Sequence, residues 1–161
     1  GGALSPTNAF QIIQGLETLE IRIQKHSENA LALASWLEAQ EEVAWVNYPG
    51  LASSKYKKLA DKYLPNGQSG VVTFGAKGGF DAAKAIADNV KIFSLLANIG
   101  DTKSLIIHPA STTHQQLSED QQADAGVAND LIRLSVGLEN IEDLKEDLKE
   151  AFVAVRKILK V

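Results

Sequence analysis

The sequence predicts an α+β domain: a small, largely antiparallel sheet of four or five strands with helices packed on one face, preceded by a long N-terminal helix. Three observations carry that expectation. Apolar residues recur at helical spacing near both ends of the chain. Short β-branched and aromatic runs bounded by Gly and Pro turns fill the middle. Helices and strands alternate irregularly, with no repeat and no glycine-rich phosphate loop to mark a parallel βαβ unit.

Ser5-Pro6 starts the first helix, because a serine hydroxyl caps free N–H groups and proline suits the first helical position. Ile12, Leu16, Leu19, Ile23, Ala30, Leu33 and Leu37 then share a face, and no proline interrupts before Pro49. The pattern runs from Pro6 to about Ala39. A helix of roughly 34 residues is about 50 Å long, whereas a compact domain of this size is about 40 Å across. Either the helix kinks, with Gly15 one candidate point, or its first turns lie against another domain and are exposed here.

Val43 to Tyr48 alternates like a strand and closes at Pro49-Gly50, and Lys55 to Leu64 reads as a helix that stops at Pro65-Asn66-Gly67. Gly70-Val-Val-Thr-Phe-Gly75 is a strand, and Phe80 to Val90 a short alanine-rich helix. Lys91 to Asn98 and Ser104 to His108 read as two strands around the Gly100-Asp101 turn, and Leu131 to Gly137 as another. The last helix is capped by Asn140 and sets Ile141, Leu144, Leu148, Phe152, Val155 and Ile158 on one face. The chain divides into a long helix over about 1–40 and an α+β body over 41–161, with no internal linker and therefore a single domain.

Composition limits the functional classes. A net charge of −4 over 161 residues, with lysines and acids interspersed, argues against a nucleic-acid partner, which needs a clustered cationic face. The absence of cysteine removes disulfides, thiolate metal sites and cysteine nucleophiles together. No apolar run approaches the ~18 residues of a membrane span, and no signal segment opens the chain, so it reads as cytoplasmic. It begins Gly1-Gly2 and contains no Met, which points to an internal start.

His108-Pro-Ala-Ser-Thr-Thr-His114 concentrates polar groups. Its two histidines do not share a helix face, and no carboxylate pattern flanks them, so zinc is not expected. A Ser111, His114, Asp120 triad lacks any nucleophile-elbow context, and the simpler alternative is a polar loop whose hydroxyls satisfy backbone groups. In Leu131-Ile-Arg-Leu-Ser-Val136, period two puts Leu131, Arg133 and Ser135 on one face and Ile132, Leu134 and Val136 on the other. Arg133 is then either a solvated strand residue or a forked grip for a carboxylate or phosphate. Lys103 follows a Gly-Asp turn with no phosphate anchor nearby, which argues against a Schiff-base role.

Several strings in fixed order carry a resemblance. They are Leu4-Ser-Pro-Thr-Asn-Ala-Phe, Gly15-Leu-Glu-Thr-Leu, the Arg22, His26, Asn29-Ala30 spacing, Val46-Asn-Tyr-Pro-Gly-Leu51, Gly70-Val-Val-Thr-Phe and Leu131-Ile-Arg-Leu-Ser-Val-Gly-Leu-Glu139. Together they resemble the C-terminal part of the Cys/Met-metabolism family of pyridoxal-phosphate enzymes, over nearly the whole chain. Where γ-lyases and cystathionine-forming members usually read Ser-Leu-Gly-Gly-x-Glu-Ser-Leu, this chain has Asn98-Ile-Gly-Asp-Thr-Lys-Ser-Leu105, followed by His108-Pro-Ala-Ser-Thr-Thr-His114. That region is similar to the O-acetylhomoserine sulfhydrylase branch, with a methionine or cystathionine γ-lyase or γ-synthase the alternative within the family. A non-catalytic carboxylate-binding module is the alternative outside it, and the over-long first helix argues against that.

The resemblance implies that Arg133 holds the substrate α-carboxylate, with Asn98 and Thr113 beside it. It implies pyridoxal phosphate as cofactor, held by an N-terminal domain that this chain lacks. It also implies an amino-acid substrate, a homo-oligomer, usually a tetramer, at full length, and no catalytic, cofactor-binding or metal-binding residue within this chain. The chain alone is expected to be inactive.

Overall fold

The computed structural model describes residues 2–160. Ser5 caps α1 (Pro6–Glu17), its hydroxyl accepting the Asn8 N–H at 3.2 Å. A break at Thr18 separates α1 from α2 (Leu19–Leu37). The single long helix predicted from periodicity is thus two, parted three residues beyond Gly15. Arg22 spans the break, donating from Nη2 to the Gly15 carbonyl at 2.8 Å and from Nη1 to the Thr18 hydroxyl. The expectation that Gly1 to about Ser5 and the first helical turns are exposed or disordered is met by exposure at Gly2 to Ser5 and by an α1 that buries no residue; Gly1 lies outside the described residues. From His26 onward α2 turns inward, burying Ala30, Leu33, Ala34 and Leu37.

The body follows as β1 (Val43–Asn47), α3 (Lys57–Tyr63), β2 (Val71–Ala76), α4 (Gly79–Asn89), β3 (Ser94–Leu95), β4 (Leu105–Ile107), a 3-10 turn (Pro109–Ser111), α5 (Glu119–Asp124), β5 (Leu131–Ser135) and α6 (Ile141–Leu159). The five strands lie in the order β1-β2-β5-β4-β3. All neighbours are antiparallel except β3 and β4, which run parallel with Ser94 opposite Leu105. The two stretches flanking Gly100-Asp101 therefore give much shorter strands than their composition predicts. The chain between them crosses over and returns in the same direction, which a tight turn cannot accomplish. α5, with its Ser118–Gln121 capping box, has no counterpart in the sequence prediction.

Helices α2, α4 and α6 cover one face of the sheet. Val72, Phe74, Ile106, Ile132, Leu134 and Val136 meet Leu33, Leu37, Ile86, Leu144, Leu148 and Phe152 in one core. Phe152 stacks on Trp36 at 5.9 Å between ring centres and receives Phe74 edge-on at 6.5 Å. Tyr48 is fully buried beside this core, and its hydroxyl donates to the Ser69 carbonyl at 2.9 Å. Burial pushes the phenol up to about 12. Alternation places Thr73, Leu131, Arg133, Ser135, Leu105 and Ile107 on the other face, away from that core. Among the described residues, no helix is long and apolar enough to cross a membrane.

Candidate functional site

Arg133 sits near the centre of that second face. Its strand is flanked on both sides, with Thr73 of β2 and Ile107 of β4 as register partners, so a rigid three-strand platform presents the side chain. The guanidinium is partly exposed and makes one hydrogen bond among the described residues: Nη2–H donates to the Asn98 carbonyl at a long 3.4 Å. Among the described residues no carboxylate pairs with it. A five-donor fork held on a fixed strand with most donors uncommitted is suited to a planar anion, and a carboxylate matches it bidentately.

Asn98 is exposed in the segment between β3 and β4, and two devices hold that segment. Upstream, the buried carboxylate of Asp147 on α6 accepts the backbone N–H groups of Lys91, Ile92 and Phe93 at 2.7, 2.8 and 3.1 Å. Downstream, Gly100 N–H donates to the Ser135 hydroxyl at 3.2 Å, and Leu138 N–H to the Thr102 carbonyl at 2.9 Å. The segment also exposes Leu95, Leu96 and Ile99 beside Asn98.

Of the three residues named for the carboxylate, the structure thus brings Arg133 and Asn98 into contact, through the Asn98 backbone. Thr113 is exposed on the loop after the 3-10 turn, and its hydroxyl lies 2.8 Å from His114 Nδ1. The rest of this loop is built as the polar-loop alternative described. Thr112 donates to the His108 carbonyl at 2.8 Å, and the buried His108 ring joins Ser111 Oγ and the Asn129 carbonyl, both at 2.8 Å. A carbonyl only accepts, so His108 carries its proton on Nε2 and accepts the Ser111 hydroxyl at Nδ1. Burial lowers its pKa below the ordinary histidine value, which keeps the ring neutral. Among the described residues no three His, Asp or Glu side chains converge as metal ligands.

Sequence reasoning passed over Ser104, Glu139 and Asp147. Glu139 closes the Leu131–Glu139 string, yet its partner Ser104 lies 35 residues away, a pairing that no local spacing rule reveals.

Residues 1–153 match the family described as Cys/Met metabolism PLP-dependent enzyme. The chain belongs to that family. It is 54% identical over 151 residues to O-acetyl-L-homoserine sulfhydrylase 1 of Thermus thermophilus, covering 94% of this chain and 36% of that protein. It is 50% identical over 151 residues to homocysteine synthase of Schizosaccharomyces pombe, covering 94% of this chain and 35% of that protein. A crystal structure described as an O-acetylhomoserine (thiol)-lyase of Campylobacter jejuni, carrying N'-pyridoxyl-lysine-5'-monophosphate, superposes with a TM-score of 0.86 at 51% identity. The alignment covers 95% of this chain and 36% of that one. The chain spans just over a third of the length of the relatives it matches.

The family's cofactor does not fit the residues present here. A Schiff-base lysine needs a sheltered amine beside a phosphate cradle, whereas every lysine of this chain is exposed or half-buried. Lys103 stands on the exposed loop, with its own N–H turned to Asp101 at 3.1 Å.

Proposed function

We propose that this chain is the C-terminal domain of a pyridoxal-phosphate-dependent O-acetylhomoserine sulfhydrylase, which converts O-acetyl-L-homoserine and sulfide to homocysteine and acetate. Its part in that reaction is to hold the substrate α-carboxylate. The observation that carries this reading is the presentation of Arg133: central on a rigid strand, on the face away from the helix-packed core, and with one long contact to the Asn98 carbonyl. Asn98 and Thr113 are the flanking polar groups. A fixed fork aligns the amino acid so that its reacting carbons stay in register with the catalytic groups, and such positioning removes a large share of a barrier. Those catalytic groups, the cofactor-bearing lysine among them, belong to the part of the enzyme outside this chain. The exposed apolar residues of α1 support that division, since none of them is buried among the described residues.

In the full-length enzyme Arg133→Lys should lose affinity for O-acetylhomoserine and turnover together, because an ammonium does not reproduce the planar fork, while bound-cofactor absorbance stays intact. A lysine variant with normal kinetics overturns the assignment. Supplying methionine without sulfide tests the γ-lyase alternative: release of ammonia and a keto acid at a rate rivalling homocysteine synthesis would replace the sulfhydrylase reading. The chain by itself, incubated with pyridoxal phosphate and dialysed, should retain no cofactor absorbance. A stoichiometric adduct, above all on Lys103, would show that a cradle exists here after all.

A further inference from the structure

Arg133 is followed closely by the exit of its strand, Val136–Glu139, and that exit is held from both sides. On the helix side, the buried His26 donates from Nδ1 to the Val136 carbonyl at 2.6 Å, and Asn29 Nδ2 donates to the Gly137 and Glu139 carbonyls at 3.0 and 2.9 Å. On the loop side, the Glu139 carboxylate takes Ser104 with both oxygens, Oε1 accepting its N–H and Oε2 its hydroxyl, each at 2.7 Å. The same Ser104 hydroxyl oxygen accepts Gly137 N–H at 2.8 Å, closing a ring of three residues. The ring is tight. A Cβ on Gly137 would stand 2.4 Å from the Thr102 carbonyl oxygen and 2.5 Å from Glu139 Oε2, so no other residue fits there without displacing the loop.

We infer that Glu139, acting through Ser104, is a positioning residue for the carboxylate grip: it locks the Asn98–Ser104 loop to the strand exit so that the Asn98 carbonyl stays over the Arg133 guanidinium. This rests on the reading of Arg133 as the grip. Arg133 is long and partly in solvent, and among the described residues one hydrogen bond, to the Asn98 carbonyl, holds its head. That contact is made by a loop whose downstream attachments, among the described residues, lie between Gly100 and Ser104. Glu139 is the one charged group among them, and a charged acceptor makes the shorter, stronger bonds seen here. Releasing it frees the loop and lets the guanidinium swing. The long helix reaches the site by the same route, since His26 and Asn29 fix the backbone on which Glu139 stands.

The test uses the full-length holoenzyme and steady-state kinetics with O-acetylhomoserine and sulfide. Ser104→Ala and Glu139→Gln should each raise KM for O-acetylhomoserine roughly tenfold, with a smaller change in kcat and unaltered cofactor absorbance. In an Arg133→Lys background the Ser104→Ala change should add nothing further to KM, because a positioning residue has no effect once the group it positions is gone. A raised KM in Arg133→Lys with unchanged KM in Glu139→Gln, whatever its melting temperature, overturns the inference and leaves the grip standing. Full additivity in the double variant overturns it too, by showing an effect independent of Arg133. A normal KM in Arg133→Lys overturns the grip and the inference together. Should Ser104→Ala not fold, Glu139→Gln alone and combined with Arg133→Lys decides.

Discussion

Two helices at opposite ends of the chain carry apolar residues at the same spacing and use them differently. In α6, Leu144, Leu148, Phe152 and Val155 are at most 1% exposed, locked against α2, α4 and the sheet. In α1, Phe10, Ile12, Ile13 and Leu16 are all more than half exposed and no residue is buried. Periodicity tells which residues share a face; it does not tell whether the partner of that face belongs to the same folding unit. Burial of a Leu, Ile or Phe side chain contributes about 1.5–3 kcal/mol, and α6 collects that several times over while α1 collects none of it here.

The largest expected effect lies in α6. Phe152→Ala removes a ring stacked on Trp36 and met by Phe74, and should lower stability by about 3–5 kcal/mol in urea denaturation. A loss below about 1 kcal/mol would mean that the core collapses around the cavity and that the contrast with α1 is weaker than burial implies. Next comes the polar anchor of the same helix. Asp147→Ala strips the acceptor from the N–H groups of Lys91, Ile92 and Phe93 and should cost about 2–3 kcal/mol. Hydrogen exchange at those three amides would report the loss directly.

How much of this was legible in the sequence follows the same division. The apolar face of α6, the strands β2 and β5 and the two-faced reading of Leu131–Val136 rest on local periodicity, and the structure has each of them. Placing Arg133 away from the helix-packed core needed only the alternation of a strand. What escaped depends on tertiary partners: the break at Thr18 spanned by Arg22, the parallel pairing of β3 with β4, and the Glu139–Ser104 tie. The Asn98 contact escaped for a further reason. It is made by a backbone carbonyl, which residue identity does not encode.

A second contrast is between a neutral buried ring and solvent. Burial lowers the folded-state pKa of His108, so in the window below the ordinary histidine value the unfolded chain binds a proton that the folded chain does not. The resulting stability is fully present above that value and is lost as pH falls through the folded-state pKa. Urea midpoints should therefore decline from pH 7 toward pH 5 by more than in a His108→Gln variant. Equal declines in the two proteins would place the acid sensitivity elsewhere.

The smallest effect belongs to α1, and it bears most directly on the comparison. Ile13→Ala in the chain as it stands should change stability by less than about 0.5 kcal/mol, because an exposed side chain gives up no buried contact and alanine is the better helix former. The same substitution in the full-length enzyme should cost about 2–4 kcal/mol if the face closes against the remainder of the polypeptide, the usual range for emptying a buried isoleucine site. Matched urea titrations of the two lengths, each with and without the substitution, give the four values needed. A large loss in the short chain would mean that α1 already packs on this domain; a negligible loss in both would mean that nothing covers the stripe at Ile13 and that its apolar spacing has another cause.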